Sequence, residues 1–163
     1  MTRPTATRIV PPAQQLDTRA DYTDAFEVAA GDGDSRTPEQ AFRDALGAEP
    51  GAIWHLVLFI HRHVLRFRLG PLASSDYAIG WKIVRSDPDQ VVVATDGPLM
   101  RSQLMLRREA DRRVLITQVF YRHRATARIV WAIVGPLHRA VIPRLMVHSA
   151  RRASAPATPS QSA

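Results

Sequence analysis

The stretch Val130-Trp131-Ala132-Ile133-Val134-Gly135-Pro136-Leu137-His138-Arg139-Ala140-Val141-Ile142-Pro143-Arg144-Leu145 constrains this chain more than any other. It follows four closely spaced strand-like runs, and only an Ala/Pro/Ser/Thr-rich tail comes after it. Val130, Val134, Leu137, Val141 and Leu145 recur at helical spacing, which predicts one long helix from about Ala125 to Ala150. Pro136 and Pro143 lie seven apart on a face away from that stripe. There a lost backbone bond is rehydrated, and a bend curves the helix around a core. A sheet packed on such a helix suggests a container for something apolar. His138, Arg139, Arg144 and the two prolines break any clean membrane span of ~20 residues. A peripheral membrane contact stays open, because apolar stripes beside arginines suit an interface.

Upstream, Tyr22, Asp24, Phe26 and Val28 alternate with Thr23, Ala25, Glu27 and Ala29, as in a strand. Gly31-Asp32-Gly33-Asp34 ends it in a turn; no glutamate follows where a calcium loop needs one. Thr37-Pro38-Glu39-Gln40 is a capping box with proline at the first helical position, and Gly47 stops that helix. Ile53, Val57, Ile60, Val64 and Phe67 mark a second helix over 51–68, ended by Gly70-Pro71. Strands are expected at 77–85, 90–96, 99–109 and 113–122, separated by turn residues that make them an antiparallel meander. Residues 1–20 hold three prolines and no periodicity and read as a flexible arm. Residues 21–150 form a single domain, and 151–163 a disordered tail.

Composition removes several function classes. The 163 residues include no cysteine, which excludes disulfides, thiol nucleophiles and Cys-based metal sites. The first seventeen residues lack the apolar core of a signal peptide, so the expected location is the cytoplasm. The net charge of +7 is uneven: residues 1–50 sum to −4 and residues 51–163 to +11. Twenty-one of the 22 basic residues are arginine. That bias fits a high-GC genome better than phosphate recognition, and no recognition motif supports nucleic acid as a partner. His61 and His63, two apart on a helix, cannot chelate one ion together, so no metal site is expected. Ser74-Ser75-Asp76 lacks nucleophile-elbow geometry, and no other catalytic motif is present.

The order strand, two helices, four antiparallel strands and long terminal helix resembles the α+β helix-grip fold of the START/Bet v 1-like (SRPBCC) superfamily, a curved antiparallel sheet packed around its C-terminal helix. Leu69-Gly70-Pro71, Ile79-Gly80-Trp81-Lys82-Ile83-Val84 and Val130–Arg139 with Ile142-Pro143 resemble the DUF2867 family of uncharacterised bacterial proteins, over roughly residues 20–148. Some members follow a nucleotide-binding reductase domain. Here no Gly-x-Gly-x-x-Gly opens a βα unit, and no cofactor is expected.

In such a fold, alternation with Lys82 outside puts Ile79, Trp81 and Ile83 inside. Met100, Ser102, Leu104 and Leu106 fall together, as do Val114, Ile116, Gln118 and Phe120. The expected function is non-catalytic binding of a small apolar or amphipathic ligand. Trp81, Phe120 and Trp131 supply apolar contact, and Ser102, Gln118 and His138 orient it. The alternatives are a cyclase- or dehydratase-like enzyme, for which His138 is the one plausible inward base, and a ligand-free interaction module docking through its arginines.

Overall fold

The structure, a computed structural model, describes residues 4–13, 16–31, 33–45 and 51–153, and not the side chain of Ile53. It is an α+β architecture with a curved seven-stranded antiparallel sheet and a long C-terminal helix. The strands are β1 (Ala6–Ile9), β2 (Tyr22–Ala29), β3 (Tyr77–Ala78), β4 (Trp81–Asp87), β5 (Gln90–Asp96), β6 (Met100–Glu109) and β7 (Arg112–Tyr121). The helices are α1 (Pro38–Asp44), α2 (Ala52–Phe59) and α3 (Arg124–Ala153), and a π-helical turn, Ile60–Val64, continues α2. The sheet order is β1-β2-β7-β6-β5-β4-β3. β3 to β7 form a meander, and β2 closes onto β7 by pairing Tyr22 with Val119 and Ala29 with Arg112. Helices α1 and α3 pack together and cover one face of the sheet.

Local chemistry explains most elements. Thr37 accepts from the Gln40 amide while the Gln40 side chain accepts from the Thr37 amide, the reciprocal cap that the sequence predicts for α1. Such a cap is worth about 1 kcal/mol. The meander departs from the expected strands at one point. Ile79 and Gly80 both have positive φ, 55° and 80°, so a two-residue turn divides β3 from β4 where an unbroken strand over 77–85 was expected. The expected stop at Gly47 and the tail from Ser154 onward lie outside the described residues. Arg151–Ala153, assigned to that tail, form the last turn of α3.

The π-turn changes the phase of the second helix. Its extra residue per turn moves Leu65 into the core, 2% exposed, where a continuous α-helix would have put Val64. Val64 is exposed instead.

The arm expected over residues 1–20 is partly built into the sheet. Ala6–Ile9 pairs with Ala25–Val28 as an edge strand, which the prolines permit because they flank it at positions 4, 11 and 12. Leu16 then packs against Ala25, Val114 and Ile116 on the sheet's outer face.

The inner face of the sheet carries the main core: Phe26, Val28, Trp81, Val93, Met100, Leu104, Leu106, Leu115 and Val119 meet Trp131, Val134, Ile142 and Met146 of α3. α3 is long and apolar enough, by length and composition, to cross a membrane; a third of that stretch is buried in the protein. Its solvent side carries Ile129 and Ile133.

Candidate functional site

Between the sheet and the helices lies a cavity of about 120 Å³. The sheet and all three helices wall it, α1 through Ala41 and Phe42. The inner face of the sheet contributes Ser102 and Leu104 from β6 and Leu115 and Thr117 from β7; α3 contributes Trp131, Leu137 and His138; α2 and its π-turn contribute Trp54, Val57 and His61. The wall is overwhelmingly apolar, so its few polar groups stand out.

The strand β2 buries an aspartate. Asp24 lies in the same phase as Tyr22, Phe26 and Val28, and its side chain is fully buried. The Tyr22 hydroxyl donates to Asp24 Oδ2 at 2.6 Å, and Arg139 donates to the Tyr22 hydroxyl at 3.3 Å. His138 Nε2 lies 3.5 Å from Asp24 Oδ1 and 3.2 Å from the Thr117 hydroxyl. Burial alone would push the Asp24 carboxyl up, but His138, Tyr22 and Thr117 outweigh it and hold its pKa below the usual carboxylate range. The result is a buried carboxylate set behind a histidine on the cavity wall. Trp131 packs edge-on to Tyr22, with ring centres 5.0 Å apart, and against the His138 ring at 5.5 Å.

A second histidine faces the same space. The Trp81 indole donates to His61 Nδ1 at 3.4 Å, and Phe67 packs against both rings. Desolvation, reinforced by the charge of His138, drops the His61 pKa to about 4, so the ring is neutral at pH 7.

At another part of the wall, Arg113 donates through Nε and one terminal nitrogen to Asp34 Oδ2, at 3.2 and 3.0 Å, and to the Arg36 carbonyl at 2.8 Å. Arg36 also pairs with Asp34 and Asp44, at 2.8 and 3.0 Å, and donates to the Ser149 carbonyl on α3. Burial raises the Asp34 carboxyl, but the Arg36 hydrogen bonds and the Arg113 charge prevail and set it at about 2.

Four of the six residues expected from the sequence reach the cavity: Trp81, Ser102, Trp131 and His138. Gln118 and Phe120 do not, and the expected inward set on β7 is corrected accordingly. β7 pairs Leu104 with Thr117 and Leu106 with Leu115, which points Arg113, Leu115, Thr117 and Val119 inward and Val114, Ile116, Gln118 and Phe120 outward. Gln118 is buried under the N-terminal arm, donating to the Asp17 carbonyl at 3.1 Å. Phe120 lies beneath the Arg101 guanidinium, 4.4 Å from its ring centre. The physical reason is that β7 is buried on both faces, so both phases of the strand are apolar and neither marks the core.

Thr117, His61 and Arg113 line the wall without having been expected there, and Asp24 and Tyr22 stand behind it, against His138 and Trp131. Asp24 had a signal: a charged residue in the apolar phase of a strand. Among the described residues, no three metal-ligating side chains converge.

No curated protein matches this sequence. The model of the DUF2867 family, described as a protein of unknown function, matches residues 17–145, which spans β2 through most of α3 and the wall residues from Trp54 to His138 named above. The chain belongs to the DUF2867 family.

Proposed function

We propose that this chain is a bacterial, cytoplasmic helix-grip protein of the START/Bet v 1-like superfamily that binds a small, mainly apolar ligand between its sheet and α3. The cavity itself carries the reading: about 120 Å³ lined mainly by aliphatic and aromatic side chains, with few polar groups on its wall. A well-packed interior of this size leaves few voids larger than a water molecule. An empty cavity of about 150 Å³ lined by apolar groups accepts benzene. A ligand, or the part of one held in this cavity, therefore has the bulk of about one ring.

Trp81 and Trp131 supply aromatic contact, while Ser102, His61 and His138 supply direction. The test is native mass spectrometry of the purified protein, followed by organic extraction. A stoichiometric apolar molecule is the expected result. A bare protein whose tryptophan emission ignores added small hydrocarbons and ketones would overturn the reading.

The Asp24–His138 pair supports a second reading, a cyclase- or dehydratase-like enzyme. A histidine backed by a buried, ionised carboxylate is oriented to accept a proton, and the carboxylate stabilises the imidazolium that forms. NMR of the extracted ligand in D2O tests this. Exchange of a ligand carbon-bound proton that wild type accelerates and His138→Ala does not would favour the enzyme, and equal exchange would remove it.

A further inference from the structure

The hydrogen-bonding groups of the cavity wall do not balance. The Trp81 indole can only donate, so His61 Nδ1 is its acceptor. On a neutral ring the proton therefore sits on Nε2, and that N–H meets no acceptor among the described residues. The Trp131 indole N–H and one terminal nitrogen of Arg113 are buried without an acceptor. Ser102, 3% exposed, makes no side-chain hydrogen bond among the described residues. The carboxylate oxygen left without a hydrogen bond, Asp24 Oδ1, lies behind the wall, where His138 Nε2 stands 3.5 Å from it. The Trp131 and Arg113 nitrogens are fully buried and forfeit their hydration, whereas His61 and Ser102 line the cavity, where a ligand atom can reach them.

The charges, by contrast, are matched. Arg113 is neutralised by Asp34, and Arg36 by Asp34 and Asp44. Asp24 accepts from Tyr22, and Arg139 supplies the nearby positive charge by donating to that hydroxyl. A ligand carboxylate would enter an apolar space as an unmatched charge beside an ionised aspartate, which is costly.

Building on the cavity reading above, we infer that the ligand is a neutral molecule of about one ring carrying a carbonyl oxygen, which accepts from His61 Nε2 and the Ser102 hydroxyl. Apolar contact from Trp81 and Leu104 holds the ring. An acceptor without a charge satisfies the two donors on that part of the wall, His61 Nε2 and Ser102, and leaves the ion pairs undisturbed.

Calorimetric titration of the full chain with cyclohexanone, cyclohexanol, cyclohexane and cyclohexanecarboxylate at pH 7 tests this. Cyclohexanone is expected to bind about tenfold more tightly than cyclohexane, and more tightly than the carboxylate or the alcohol. Ser102→Ala and His61→Phe are each expected to lower ketone affinity about five- to tenfold while leaving cyclohexane unchanged. Circular dichroism melting of both variants confirms that they are folded, and Ser102→Ala, the smaller change, stands alone if His61→Phe is not. Equal binding of ketone and hydrocarbon, or tightest binding of the carboxylate, overturns the inference and leaves the cavity reading standing. Binding of none of the four overturns both.

Discussion

Two buried aspartates face the interior of this protein, and their surroundings differ in kind. Asp34 is gripped by Arg36 and Arg113, and those arginines reach on to Asp44, to the Arg36 carbonyl and to the Ser149 carbonyl. The cluster ties the turn before α1 to β7 and α3. Asp24 has one short bond, from Tyr22, and a looser approach from His138. Around it stand indole, imidazole and hydroxyl groups that border a cavity. A polar cluster that satisfies itself holds a fold together; one left incomplete beside an apolar space is equipped to meet a ligand.

The largest expected difference between the two comes from deleting Asp34. Asp34→Ala leaves Arg113 and Arg36 buried without their main counter-charge and should cost about 3 kcal/mol or more in urea unfolding. A loss under about 1 kcal/mol would show that the cluster is not the structural tie its geometry implies.

Acid separates the two regions next. His61 has a folded pKa of about 4 against 6.5 unfolded, so the unfolded chain binds the extra proton between those values. Stability from this group is complete above about 6.5 and is lost as pH falls towards 4. Asp34, at about 2 against 3.8, contributes above 3.8, and that contribution is lost as pH falls towards 2. His61→Phe should flatten the upper window and leave the lower one intact, read from unfolding free energy across pH 2–8. An unchanged upper window would mean that His61 is not desolvated by the cavity wall.

Asp24→Asn keeps the shape but removes the charge from the looser cluster. A loss of about 1–2 kcal/mol is expected, clearly less than for Asp34→Ala. The reverse order would invert the comparison. The smallest effects sharpen it. Ser102→Ala should change stability by less than about 0.5 kcal/mol yet weaken ligand binding. Gln118→Ala should cost about 1 kcal/mol by freeing the Asp17 carbonyl, yet leave binding untouched. If instead Gln118→Ala weakens binding and Ser102→Ala does not, the assignment of the two faces of β7 fails.

Much of this architecture was legible along the chain because it rests on local chemistry. The Thr37–Gln40 box, the turns at 87–89, 96–98 and 110–112, and the stripe from Val134 to Leu145 each involve residues a few positions apart. Less of the site was legible. Lys82 marked the outside of β4 and so placed Trp81 correctly, whereas β7 offered no such marker. Val114, Ile116, Leu115 and Val119 are equally apolar, because the N-terminal arm buries one face of β7 and α3 buries the other. The π-turn was invisible for a related reason. Val64 and Leu65 are both aliphatic, so a shift of one residue leaves the pattern looking the same.

What the sequence determined by itself was therefore most of the elements and their order, without β1, the π-turn or the break between β3 and β4. Those follow from periodicity, caps and turn residues, whose physics acts within a few residues of chain. Only the tertiary structure decided which face of β7 lines the cavity, that Asp24 stands behind His138, and that His61 meets Trp81. Each of these joins residues on separate elements, 20 to 114 positions apart. They depend on register and on what covers each face of the sheet, and neither quantity is encoded at any single position.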